Sequence, residues 1–506
     1  MATPTQASPE AICPNYINGQ WVHSRSGQTL ERRNPADHLD LIGYAPLSSR
    51  DEVREAIEAA DRARATWRDT PAPARGKIVL RAARILEEQK DDLARLLTRE
   101  EGKLLCESLG EIQRTVNIME YAAGEARRLT GETMPSELAR NFAYTLRQPL
   151  GVVGLITPWN FPVAVPAWKI APAVVCGNTL VWKPSELTPF TSRRVVEIFA
   201  AAGLPAGVLN MVHGRGEDAG DELVAHPSVR AISFTGSCEV GGIIYARAAL
   251  QMKKVQCEMG GKNPVVVLAD ADLELAADNV TAGAFGSTGQ RCTATSRVIV
   301  EEAVADRFVK MLVERANKLK VGNGAEPGIN LGPSVDEAQF KKVLEYIEIG
   351  KREAQLLCGG GPLKSAENKR ADSVDDGYFI APTIFDHVSQ DARIAQEEIF
   401  GPVLSVTRVK NFEEAIAAAN NVRFGLTASI FTTDSNRVFQ AAERLECGMV
   451  HVNSPTVGGE AHVPFGGIKA TGIGERETGS TAIDFYTELK VVYVDYTGRK
   501  RESKVY

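Results

Sequence analysis

Three short segments carry side chains whose types and surroundings could do chemistry. In residues 285–297, FGSTGQRCTATSR, Cys292 lies among Gly289, Gln290, Arg291, Thr293 and Thr295, unlike Cys176 in the apolar run APAVVCG. The adjacent Arg291 can favour the thiolate, which is the nucleophilic form of cysteine. An inert buried thiol is the alternative on local context. In residues 257–264, CEMGGKNP, Glu258 precedes Gly260 and Gly261, so its backbone can lie close to a ligand. A carboxyl buried among apolar neighbours has a raised pKa and suits a general base near neutral pH; a paired surface glutamate is the alternative. In residues 157–162, TPWNFP, Asn160 offers an amide donor between Trp159 and Phe161, where it could hold a developing oxyanion. Its alternative role is to cap the following helix.

Such groups need a scaffold, and the 506 residues suffice for about three domains, or two large ones. Apolar residues make up 44% and charged residues 24%, which excludes a mainly disordered or collagenous chain. The net charge of -6 gives no global reason to bind nucleic acid. The eight cysteines form no CxxC pair and no Cys/His cluster with zinc spacing, so no metal is expected and reduced thiols in the cytoplasm are. The N-terminus lacks the basic start and apolar run of a signal peptide. Between 151 and 182 the one charged residue is Lys169, as in a membrane span, but Pro158, Pro162, Pro166 and Pro172 interrupt it. A buried strand, a loop and a buried helix fit that stretch better, and no membrane association is expected.

Apolar spacing predicts helices over 51–67 and 77–99. Strands are predicted at 151–156, 179–182, 208–212 and 231–235, with helices at 162–175, 188–202 and 217–226 between them. This alternation predicts a parallel sheet covered on both faces, with ligands at the carboxyl ends of its strands. A second alternating unit runs from near Gly260, with strands at 297–302, 404–409, 428–433 and 448–453 and helices at 303–319 and 412–419. Residues 1–12 read as a loose tail and 359–377 as a surface loop. The end reads as an exposed strand at 488–496 and a solvated basic tail with Arg499, Lys500 and Arg501.

TPWNFPVAVPAWK, KPSE, FTGS, EMGGKNP, GQRC and EEIFGPV occur in this order, and with them the chain resembles the aldehyde dehydrogenase superfamily from about residue 13 to 495. The resemblance implies an α/β fold in three parts: a Rossmann-like cofactor domain (13–128 and 151–258), an α/β catalytic domain (259–476) and a small β oligomerisation element (129–150 and 477–497). The stretch NFAYTLRQPLG and the terminal strand would pair edges between subunits in a homodimer or homotetramer. Cys292 matches the nucleophile that forms a thiohemiacetal and then a thioester. Asn160 and the Cys292 N–H match the oxyanion site, Glu258 the base that activates water, and Lys169 a helper in positioning or proton relay near Asn160.

The cofactor correspondence implies NAD, with NADP possible. Lys183, Ser185 and Glu186 match the residues facing the adenosine ribose, and a carboxylate there repels a 2′-phosphate. Ser237 matches a pyrophosphate contact, preceded by Phe234, Thr235 and Gly236. Ile156, Thr157 and Trp159 match the cleft lining, and Gly216 and Gly220 lie in a near-miss of the usual glycine fingerprint. Met259, Gly260 and Phe400 are implied to contact the cofactor as well, and Glu398 matches the residue that holds the nicotinamide ribose.

The substrate pocket implied by the resemblance is lined by Phe161, Val165, Trp168, Arg291, Thr293 and the loop from Ser454 to Phe465. Arg291 pointing inward would clamp a carboxylate; pointing outward it would anchor the loop. GQRCTATSRVIV, TPWNFPVAVPAWK and GAFGSTG resemble the α-ketoglutarate semialdehyde (2,5-dioxovalerate) dehydrogenase branch. Succinate semialdehyde or another short anionic aldehyde, a CoA-acylating enzyme and a non-catalytic structural relative are the rivals. Relatives that acylate CoA generally lack the glutamate base, so Glu258 argues against that one.

Overall fold

The computed structural model describes residues 11–363 and 377–500. Five parallel strands form the centre of an eight-stranded sheet, in the order Leu209–Met211, Thr179–Lys183, Val152–Ile156, Val229–Thr235, Lys254–Glu258. In chain order this reads 3-2-1-4-5, so the winding reverses between Val152–Ile156 and Val229–Thr235. Such a switch point opens a crevice at the carboxyl ends. Strand alternation explains why both faces are covered. Val153 and Leu155 pack with Trp182 and Met211 on one side, and Val152 and Ile156 with Val181 and Ile232 on the other.

The helix Ala164–Cys176 is buried along its length and ends at Gly177, whose φ of 94° is the left-handed conformation that glycine adopts without penalty. Trp67 Nε1 and Arg75 Nε bind its last turn, donating to the carbonyls of Val174 and Val175 at 3.2 and 2.8 Å. The proline-broken stretch is thus a strand, a loop and a helix, and no described helix is long and apolar enough to cross a membrane.

A seven-stranded second sheet places Asn263–Val267, Thr295–Glu301 and Val403–Val409 near its centre. Val265, Val298 and Leu404 face one core and Val266 and Ile299 the other. The segments that carry chemistry here precede these strands: Glu258–Lys262 runs into the first, Cys292 into the second and Glu398–Phe400 into the third. Carboxyl ends of the first sheet therefore meet amino ends of the second, whereas strand ends alone direct attention to carboxyl ends. Gly472–Ile473, inside the segment expected to be catalytic, returns to the first sheet and pairs antiparallel with Lys254–Glu258.

Some elements differ from expectation. Residues 77–99 form two helices, Ala72–Glu88 and Lys90–Glu101, because Gln89 leaves helical geometry and Asp91 and Asp92 favour a new helix start. Residues 216–225 are a π turn, Gly216–Gly220, followed by the short helix Asp221–Ala225. The terminal strand Thr487–Asp495 pairs along its length with Asn141–Pro149 of the same chain, and Thr133–Met134 completes a three-stranded antiparallel sheet. Ile12, at the end of the expected tail, bridges Tyr44 and so is held against the fold. The rest of that tail (1–10), residues 364–376 of the expected loop, and Arg501 lie outside the described residues.

Candidate active site

The loop after Val152–Ile156 carries Asn160, which is buried. Its Nδ2 donates to the Gln290 carbonyl at 3.0 Å, and its own carbonyl accepts from Lys103 Nζ at 2.6 Å. Lys103 is paired with buried Glu111 at 2.7 Å. The second oxygen of Glu111 accepts from the N–H groups of Val163 and Ala164 at 2.9 and 3.0 Å. Glu111, not Asn160, thus satisfies the start of the helix Ala164–Cys176. The Asn160 amide is held beside the segment that carries Cys292.

Cys292 follows a distorted turn, Gly286–Gly289, in which Ser287 and Thr288 have φ of 49° and 58°. Positive φ at a β-branched threonine is costly and persists only where surroundings hold it. Asn263 Nδ2 fixes the next stretch, donating to the carbonyls of Cys292 and Ala294 at 2.8 and 2.9 Å. Burial, then Glu258 and Glu398, push the Cys292 thiol up to about 12. Both causes favour the protonated thiol over the thiolate.

Glu258 ends the strand Lys254–Glu258, where Oε1 accepts from Gly467 N–H at 3.0 Å and Oε2 is buried with no partner. Burial, and then the nearby Glu477, raise its pKa well above the ordinary carboxyl value. Lys169 Nζ bonds the Ser233 hydroxyl at 2.9 Å and pairs closely with Glu477. Glu477 was invisible in the motifs, since GERETGS has no periodicity or spacing that marks it.

A cavity of about 200 Å³ joins these groups. Asn160, Glu258 and Cys292 line it together. Of the expected cofactor residues, Trp159, Thr235, Gly236, Ser237, Met259, Gly260, Glu398 and Phe400 also line it. Glu398 accepts from Gly261 N–H at 2.9 Å, and a Cβ at Gly260 would displace its carboxylate from this position. Phe400 meets the Trp159 ring edge-on at 5.5 Å. Ile156, Thr157, Lys183, Ser185, Glu186, Gly216, Gly220 and Phe234 lie outside the cavity lining. Most extend the same carboxyl edge: Lys183 Nζ donates to the Gly214 carbonyl at 2.9 Å and lies 3.3 Å from Glu186, with Gly220 packed near Lys183 and Ile156. Two features of this edge suit a dinucleotide. Ser237 caps the twelve-residue helix Cys238–Ala249, whose amino end favours phosphate, and the Thr235 hydroxyl is buried without a partner.

On the substrate side, Phe161, Val165, Trp168, Thr293 and Phe465 line the cavity. Arg291 does not. Its guanidinium turns to the protein side, pairing with Glu107 at 3.0 Å and donating through Nε to the Ser287 hydroxyl at 2.9 Å. The inward clamp and the thiolate-favouring role are both corrected: the distorted turn aims Arg291 at Glu107, and the residue anchors the loop. Arg114, Gln339 and Lys342 line the cavity instead, and sequence reasoning missed them. Arg114 had a signal, because it falls at helical spacing between Glu111 and Ile118 on the inward stripe of Leu105–Glu125. No group of three His, Cys, Asp or Glu that could hold a metal occurs among the described residues.

A sequence profile described as "Aldehyde dehydrogenase family" matches residues 21–492. A relative from Bacillus subtilis, named alpha-ketoglutaric semialdehyde dehydrogenase, is 45% identical over 481 residues, covering 95% of this chain and 97% of its own. A Geobacillus kaustophilus protein named malonate-semialdehyde dehydrogenase 2 is 44% identical over 479 residues, 94% of this chain and 97% of its own. The crystal structure of betaine aldehyde dehydrogenase from Staphylococcus aureus in complex with NAD+ superposes with a TM-score of 0.93 at 35% identity, covering 96% of this chain and 95% of that one.

Proposed function

Since the chain belongs to the aldehyde dehydrogenase family, we propose that it oxidises a short acidic aldehyde, α-ketoglutarate semialdehyde first, to the corresponding acid. The observation that carries this reading is one cavity lined by a thiol, an amide donor and a buried, partner-free carboxylate oxygen. Glu258 takes the proton of the Cys292 thiol, and Sγ attacks the aldehyde carbon. Asn160 Nδ2 and the Cys292 N–H bind the oxyanion of the adduct. Trp159, Glu398 and Phe400 would hold the nicotinamide end of NAD(P)+, which would supply the hydride acceptor for oxidation of this adduct to a thioester on Cys292. Glu258 passes on the thiol proton before hydrolysis and then takes a proton from water, whose hydroxide adds to the thioester carbonyl and releases the acid and the Cys292 thiolate. Lys169 and Glu477 lie behind Glu258 and offer a path for that proton to leave.

Glu186 would bind the adenosine ribose hydroxyls, and its charge favours NAD over NADP. Glu258 separates this reading from CoA acylation, which needs no base for water. A shorter acid, malonate or succinate semialdehyde, is the second reading, supported by the malonate-semialdehyde relative. The three-part division proposed from sequence belongs to the same reading, with the sheet of Thr487–Asp495 as its oligomerisation element. Phe142, Leu146, Leu489, Val491 and Tyr493 are exposed there, which supports a homodimer or homotetramer. The eight free cysteines, all among the described residues, support a reducing, cytoplasmic setting.

The test is NADH or NADPH formation across α-ketoglutarate, succinate and malonate semialdehydes and neutral aldehydes of matched length, with Cys292→Ala as the blank. The expected outcome is a kcat/KM preference for the acids, larger with NAD, and no turnover in the variant. A preference for neutral aldehydes would remove the substrate assignment; turnover by Cys292→Ala would remove the mechanism.

A further inference from the structure

We infer that Arg114 receives the distal carboxylate of the substrate and sets the preference for acidic aldehydes, an inference that rests on the proposed substrate class. Arg114 projects from the helix Leu105–Glu125 into the cavity that holds Cys292. Its guanidinium lies 5.5 Å from the Trp168 ring and 5.9 Å from the Phe465 ring, which are themselves 5.3 Å apart. Cys292 packs against the same aromatic cluster. The cation and the nucleophile therefore line one cavity and border the same cluster of apolar side chains.

The cation has no anion of its own. Among the described residues Arg114 makes no ion pair and no hydrogen bond, and its Nε is buried without a partner. Nearby Glu111 is committed to Lys103 and to the helix start. A guanidinium that lies against rings and bonds no protein acceptor keeps N–H donors for the two oxygens of a carboxylate. A partly buried cation in a mostly apolar pocket is costly unless something anionic arrives. The substrate brings that charge at the end opposite its aldehyde.

Gly459 supports the arrangement. A Cβ there would come within 2.7 Å of an Arg114 terminal nitrogen, so glycine lets the 454–465 loop close over the guanidinium without displacing it. Its backbone φ is not in the left-handed region, so alanine at 459 disturbs Arg114 rather than the loop.

The experiment compares kcat/KM for α-ketoglutarate and succinate semialdehydes with that for pentanal and butanal at saturating NAD, in the wild type and in Arg114→Met, Arg114→Lys and Gly459→Ala. Charge-assisted hydrogen bonds of this kind should lower the acid-to-neutral ratio at least ~30-fold in Arg114→Met, mainly through KM, with about tenfold in Arg114→Lys. Gly459→Ala should lower the ratio while keeping the charge, and it decides the matter if Arg114→Met does not fold. A wild type that prefers acids, with a ratio unmoved in the variants, overturns the role of Arg114 and leaves the substrate class standing. Equal losses for acids and neutrals, with a shifted pH profile, would make Arg114 an electrostatic neighbour of Cys292 and also overturn it. A wild type that prefers neutral aldehydes overturns the substrate class, and Arg114 with it.

Discussion

Glu258 shows how one side chain can be poorly placed for stability and well placed for chemistry. Its carboxyl is buried, half of it has no partner, and Glu477 stands near. These factors raise its pKa, so at low pH the group is a neutral acid and cannot accept a proton. Activity should fall as pH drops through that raised pKa, at a pH above the ordinary carboxyl range. Glu258→Gln should abolish this acid limb and lower kcat by about 100-fold, the usual scale for loss of a general base. If thiohemiacetal formation finds another base, a pre-steady-state burst of NADH will persist. An unaltered pH profile and steady-state rate in this variant would sink the assignment. Burial likewise pushes the Cys292 thiol up to about 12, and Arg291, paired with Glu107, is not among the groups that offset it.

At the scale of elements, the site depends on a helix that touches no reacting atom. Leu105–Glu125 supplies Glu111, which binds Lys103 and the first N–H groups of the next helix, and Lys103 in turn holds the Asn160 carbonyl. Removing one partner of a buried ion pair strands the other charge, at a cost of about 3–5 kcal/mol, whereas replacing both by apolar groups costs less. Glu111→Ala should therefore unfold at a clearly lower temperature than the wild type. The double variant Glu111→Leu/Lys103→Met should lie between the two in a calorimetric scan. A single variant as stable as the wild type would mean that the pair carries no weight in positioning Asn160.

The whole molecule joins two doubly covered sheets so that carboxyl ends of one face amino ends of the other, and adds a third, antiparallel sheet at the surface. That outer sheet exposes Leu489, Val491 and Tyr493. Such a row beside an open strand edge is a surface that a second copy would cover. Leu489→Glu combined with Tyr493→Glu should lower the sedimentation coefficient to that of a smaller assembly. An identical coefficient would remove this sheet as the contact of the proposed homo-oligomer.

The sequence by itself determined the family and the strand–helix alternation of the two main sheets, and it singled out the segment around Cys292, because period-two and helical apolar patterns and short motifs are local properties. Cys292, Glu258 and Asn160 could be picked out because each sits in an unusual neighbourhood of a few residues. The tertiary structure alone decided which charges serve the cavity. Arg291 neighbours the nucleophile in sequence, yet a turn with positive φ at Ser287 and Thr288 sends it to Glu107. Arg114 is 178 positions before Cys292 and faces the same space. The partner of Lys169, Glu477, lies 308 residues away. Periodicity gives the face of a helix a residue occupies. What that face meets depends on long-range packing, which no local pattern encodes.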